Sequence, residues 1–204
     1  MNAKKLSFLL LILVAVACTN RSTSSEQDEM RHWNNVLQQI NALLLENKAR
    51  QTLDLAKQTL PEILESAEKN GTTDTLIYYA RKIFNACGNN YINTKQYKDG
   101  IDYMDSIGNH PLIREHCPHE LLSFKAGLNQ LYGNNPEAVR LAEDYLQLPV
   151  CTSANDFIRQ AEIISGVYMY SGNNLPKAIQ ILEKAIDVYR KGGNFPNMLR
   201  IMSR

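Results

Sequence analysis

The chain has 204 residues and carries 22 Lys and Arg against 21 Asp and Glu, a formal charge of +1 with 44 % of the residues hydrophobic. A balance this close to neutral, with no basic run, gives no electrostatic basis for binding nucleic acid. No stretch sustains the apolar-polar alternation of a half-buried strand, so the expected class is all-α.

Lys4 and Lys5 precede a run from Leu6 to Ala17 in which Ser7 is the sole polar residue. Its 12 residues are too few to span a bilayer, and the charges stand where a secretory signal has them. The run ends Val14-Ala15-Val16-Ala17-Cys18-Thr19, which resembles a bacterial lipoprotein signal, with Ala15 where Leu is commoner. The resemblance implies that residues 1–17 are removed and that Cys18 is lipidated as the mature N-terminus. An ordinary signal peptide with an incidental cysteine, or an uncleaved anchor, are the alternatives. Thr19 in place of an Asp after the cysteine points to the outer membrane. Loss of two lysines with the signal leaves 20 basic and 21 acidic residues, a charge of −1. Thr19 to Glu29 is Ser/Thr-rich and acidic with no large apolar residue, so residues 18–29 are expected to be a lipidated Cys and a solvated tether reaching up to about 35 Å.

From Met30 the pattern is helical and paired. Trp33, Val36, Leu37 and Ile40 are followed by Ala49, Leu53 and Ala56; Phe84, Cys87, Gly88 and Tyr91 by Gly100 and Met104; Leu122 and Ala126 by Ala138, Ala142 and Tyr145; Ala161, Ile164 and Tyr168 by Ala178, Leu182 and Ala185. From Trp33 to Ala49, Phe84 to Gly100 and Leu122 to Ala138 the offset is 16, and from Ala161 to Ala178 it is 17. Gly172-Asn173-Asn174-Leu175-Pro176 is a turn able to absorb the extra residue, and Gly133-Asn134-Asn135-Pro136 is the same device one unit earlier. Pro61 falls inside an apolar-periodic segment and is expected to lengthen and kink the second helix of the first pair. Asn70 to Thr73, Gly108 to Pro111, Pro149 to Ser153 and Gly192 to Pro196 read as short turns.

Phe84-x-x-Cys87-Gly88-x-x-Tyr91 followed by Gly100-x-x-x-Met104 is similar to the tetratricopeptide repeat (TPR), with Cys87 for the usual Leu and Gly100 for the usual Ala. In this reading Gly88 and Gly100 let the two helices of a pair approach, and Phe84, Tyr91 and Met104 fill the space between them. The small residues of successive second helices lie 51, 38 and 40 positions apart, all longer than the family's 34 residues. The resemblance implies a TPR-like helical-hairpin solenoid over residues 30–204, with four helix pairs to about Gly193 and an incomplete fifth from Phe195. Phe195, Met198, Leu199, Ile201 and Met202 continue the apolar pattern to Arg204 without a polar capping helix. The expectation is a longer protein truncated here, or a terminus sealed by dimerisation.

His110, His116, Cys117 and His119 are the densest set of metal-ligand types, yet neighbours this close cannot all converge on one ion, and Pro118 reads as a helix opener. His119-Glu120-Leu121-Leu122-Ser123 begins like a zinc-protease helix but has Ser123 where the second histidine must be. There is no Gly-rich phosphate loop and no Gly-x-Ser-x-Gly elbow. No enzyme, metal site or cofactor is expected. Cys87 occupies an apolar slot as a small buried hydrophobe, and Cys117 and Cys151 stand on neighbouring loops whose roughly 10 Å unit spacing is too wide for a disulfide unless the loops lean together.

Two functions fit these features. The first is a lipid-anchored, non-enzymatic interaction scaffold of the bacterial cell envelope; the second is the extracytoplasmic sensory part of a larger signalling protein, a histidine kinase or transcriptional regulator. For the first, the resemblance implies a concave groove lined by first-helix residues one place after the core contacts. These are Arg31, Asn34, Gln38 and Asn41; Lys82, Asn85, Asn89 and Asn93; and Arg159, Glu162, Met169 and Tyr170. Amides donate and accept, which suits a protein or peptide backbone, whereas the scarcity of Lys and Arg in these rows does not suit a terminal carboxylate. Mass spectrometry of the mature protein should find a diacylated Cys18 at the N-terminus, and Cys18→Ser should leave it unprocessed or mislocalised; any other wild-type N-terminus overturns the anchor.

Overall fold

The computed structural model describes residues 27–149 and 154–192, so the signal, Cys18, most of the tether, Cys151 and the segment from Phe195 lie outside the described residues. Helix α1 covers residues 27–45. It is followed by α2 (Ala49–Asn70), α3 (Asp74–Asn93), α4 (Tyr97–Ile107), α5 (Pro111–His116), α6 (Pro118–Tyr132), α7 (Asn135–Gln147), α8 (Ala154–Tyr170) and α9 (Leu175–Gly192). Among the described residues there is no strand, and the helices pack in adjacent pairs as a helical-hairpin solenoid in which α6 lies against α3, α4, α7 and α8. No helix of the described residues is long and apolar enough to cross a membrane.

Two boundaries differ from the sequence reading. Residues 27–29 already belong to helix α1, which therefore reaches before Met30, and Glu29 of the expected tether accepts a hydrogen bond from the Ser66 hydroxyl on α2 at 2.9 Å. The second difference is α5, a short helix beyond the expected turn at Gly108 to Pro111. Pro111 opens it, the His110 Nδ1 accepts from the Leu112 N–H at 3.2 Å, and buried Leu112 and Ile113 hold it against α3 and α6. Pro61 lies within α2, which runs unbroken to Asn70.

The four hairpin turns share one chemistry. Asn47, Lys95, Gly133 and Asn173 adopt positive φ of 56°, 59°, 96° and 45°. The next residue's N–H then reaches back into the first helix: Lys48 to Leu43 O, Gln96 to Tyr91 O, Asn134 to Asn129 O, and Asn174 to Tyr168 O, over five residues in the first three turns and six in the last. That extra step is the additional residue of the fourth unit. The same turns correct the register of the first unit. Thr52, Gly100, Ala138 and Ala178 each donate their backbone N–H to the residue just after the turn, and all four are buried. Thr52, not half-buried Ala49, is therefore the close-packed residue of α2, and Val36 rather than Trp33 matches Phe84. A tryptophan is the more conspicuous anchor in the sequence, but the turn sets the phase.

Two buried clusters meet on α6: one gathers Trp33, Ile40, Leu60, Phe84, Tyr91, Met104 and Phe124, the other Ala126, Ala138, Ile164, Tyr168 and Ala178. Burial pushes the Cys87 thiol up to about 12, as an apolar slot requires. Gly100 does admit its own pair, since a Cβ there would lie 3.0 Å from the Tyr91 side chain. Gly88 does not face α4 as expected. A Cβ on it would lie 2.4 Å from the Phe124 ring of α6, and one on Gly127 would lie 2.6 Å from Ile163 of α8, so these glycines close the junctions between units. Leu122, the expected anchor of α6, is half-buried, and Phe124 carries the contact instead.

Gly88→Ala should therefore lower the melting temperature. Overpacking against a ring costs about 1–3 kcal/mol, which outweighs the gain of about 1 kcal/mol from replacing glycine in a helix. Thermal unfolding followed by circular dichroism should show a drop of several degrees, partly restored by Phe124→Leu; a rise would mean that the junction is not close-packed.

Candidate functional site

The junction between α1 and α3 lacks the pair that closes the later ones. Counted from the turns, Ile40 stands in α1 where Gly88 stands in α3. Asn85 precedes Phe124 by the same 39 positions that separate Phe124 from Ile163. A branched side chain thus replaces the notch, and a short polar one replaces the filling residue. The two helices leave between them a cleft of about 370 Å³, lined by Leu37, Ile40, Asn41 and Leu44 from α1 and by Lys82, Asn85, Ala86, Asn89, Asn90 and Asn93 from α3.

Five of the expected groove residues, Asn41, Lys82, Asn85, Asn89 and Asn93, line this one cleft. Among the described residues the side-chain amides of Asn41, Asn85 and Asn93 make no hydrogen bond. Asn89 is held on both sides: its Nδ2 donates to Asn85 O at 2.9 Å, and its Oδ1 accepts from Arg159 Nε of α8 at 2.8 Å. Arg159 also lies 3.5 Å from the Glu162 carboxylate, whose side chain is 5 % exposed. Arg159 and Glu162 thus form a brace from α8 to α3 and not a free binding row. The remaining expected residues do not join the cleft. Arg31, Asn34 and Gln38 are exposed on α1, while Met169 and Tyr170 are exposed at the end of α8.

Asn90 was not expected there, because its position reads as a core slot. It lines the cleft and is fully buried, with Nδ2 donating to Ala86 O at 2.8 Å. Its Oδ1 has no partner among the described residues. In α6 the residue 39 positions later, Asn129, makes the same bond to Lys125 O, but its Oδ1 accepts from Asn134 Nδ2 at 3.0 Å. A buried unpaired acceptor costs about 1–3 kcal/mol, so Asn90 is kept beneath the cleft wall at a cost to the fold.

Two of the three clustered histidine rings, those of His110 and His119, are engaged by the fold, and His116 is held through its backbone. His110 caps α5 and lies 3.2 Å from Glu68; the His116 carbonyl accepts from Arg81; His119 Nε2 is 2.7 Å from Pro149 O. Cys117 is buried. Glu120, at the place of a protease base, is buried and 3.2 Å from Arg81 Nε. No three His, Cys, Asp or Glu among the described residues come together as a metal site. No known family model and no curated protein matches this chain.

Asn90→Leu should raise the melting temperature by about 3 °C, because it removes an unpaired acceptor from a buried position. Asn129→Leu should lower it, since Asn134 then loses its partner. Calorimetry on the two variants checks both signs, and a destabilised Asn90→Leu would show that its acceptor is satisfied.

Proposed function

We propose that the chain is a non-enzymatic TPR-like scaffold, held at the bacterial cell envelope through lipidated Cys18, that binds an extended peptide in the α1–α3 cleft. The observation that carries this reading is the row of amides in the cleft, three of them without hydrogen bonds among the described residues. A peptide backbone presents donors and acceptors alternately, and asparagine is the short side chain that answers both. Leu37, Ile40 and Leu44 give the same cleft an apolar wall for side chains of the peptide. With one lysine on the wall, and that one 5.8 Å from the Tyr78 ring centre, selection by charge is secondary.

The test uses a peptide library displayed on phage and selected against the purified protein. Selected peptides should bind Asn41→Ala/Asn85→Ala about tenfold more weakly, as loss of one to two hydrogen bonds requires. N-methylation of single backbone amides of a selected peptide should weaken binding to the wild type at specific positions. Neither substitution removes a hydrogen bond of the folded protein, so its melting temperature should be unchanged. Peptides that bind the double variant and the wild type equally would remove the cleft as the binding site.

A further inference from the structure

Asn85, Asn89 and Asn93 stand four residues apart on α3 and line the α1–α3 cleft together. Four residues advance a helix by about 6 Å, and along the i, i+4 row, which slants about 26° to the axis, the step is about 6.7 Å. Two residues of a β-strand rise about 6.4–6.8 Å, and the N–H and C=O groups on one edge of a strand belong to every second residue. The amide row therefore repeats in step with one edge of a β-extended chain. A polyproline II chain repeats after three residues, about 9.3 Å, and is out of step by the second amide. A helical ligand has its backbone groups paired internally and offers the amides nothing.

The middle amide sets the frame. Asn89 is held by Asn85 O and by Arg159 Nε, yet its Nδ2 keeps a second N–H and its Oδ1 a second lone pair for a ligand. The side chains of Asn85 and Asn93 make no hydrogen bond among the described residues and adjust on either side. The row spans about 13 Å, the length of about five residues of extended chain. Side chains of such a chain alternate between its two faces, so those of one parity meet the buried Ile40 and Ala86, where a polar group would lose its water. Resting on the peptide-binding reading of this cleft, we propose that its ligand is a β-extended segment of about five residues read with period two. Backbone groups of its first, third and fifth residues pair with the three asparagines, in one chain direction or the other. Side chains of the parity facing Ile40 and Ala86 are apolar, and those of the other parity are unrestricted.

The probe is a peptide selected against the purified protein and trimmed to the shortest segment that binds. Replacing its backbone amides by esters one at a time should weaken binding about fivefold at alternate residues and less at those between. Glutamine placed at each position in turn should be tolerated at alternate positions only. The register is checked from the two ends: removing two residues from one end should abolish the effect of Asn93→Ala, about fivefold, and keep that of Asn85→Ala, and trimming the other end should do the reverse. Both variants should keep the wild-type melting temperature, since neither side chain bonds within the described fold. Binding that depends on Asn85 but shows a backbone profile of period three, or none, overturns the strand and leaves the cleft as the site. Binding that ignores Asn41→Ala/Asn85→Ala removes the cleft itself, so the two failures are distinct.

Discussion

The approach of a glycine to a large apolar side chain governs this solenoid. At Gly88 and Gly127 the absence of a Cβ lets the next first helix enter to a depth that any other residue would forbid, and Phe124 and Ile163 fill the volume so opened. A gap of about 1 Å forfeits up to about half of the dispersion at a contact, so a junction of this kind depends on close approach. Glycine in a helix interior is unfavourable by about 1 kcal/mol, and its use at these positions shows that the gain in contact exceeds the loss in propensity. The turns place each notch to within one residue along its helix, and the notch then fixes where the next unit sits.

Seen from these junctions, the α1–α3 cleft is the place where the rule is suspended. Ile40 is buried, so α1 still adheres to the core, but it offers no notch, and Asn85 offers nothing to put in one. A cavity lined only by leucine and isoleucine would be a defect that a larger side chain could fill. Here asparagines line the opposite wall, and filling it would bury their amides at a cost of one to a few kcal/mol each. The cleft is thus kept open by its polar wall as much as by its missing apolar pair.

Much of the architecture was legible because helical pairing writes itself as spacing. The near-constant offset between anchors, the Gly-Asn-Asn turns and the prolines at helix starts located eight of the helices and the α1 and α3 rows that share the cleft. The features that spacing does not reveal depend on contacts between units. Phe124 sits two places from the Leu122 that the offset selects, and only its meeting with Gly88 shows which of them does the packing. Trp33 is the largest residue of the first unit, but size does not set phase, and Val36 holds the matching position. Asn90 falls on the buried face, where a polar residue reads as an exception, and no spacing reveals that its acceptor is left unpaired. Helix α5 is six residues long, too short for its periodicity to register.

The brace from Arg159 gives the cleft wall a rigidity that its own helix could not supply. Asn89 is tied below to Asn85 O and across the units to α8, so its rotamer is set before any ligand arrives. Ordering a side chain on binding costs about 0.5–1.5 kcal/mol, and that cost is already met at Asn89. The neighbouring Asn85 and Asn93, which make no hydrogen bond, remain able to adapt. A wall that is fixed at its centre and adaptable on either side holds the register of an extended chain while tolerating variation in its sequence. The brace also makes the cleft sensitive to the far end of the described solenoid, since any shift of α8 relative to α3 must either carry Arg159 along or break its bond to Asn89.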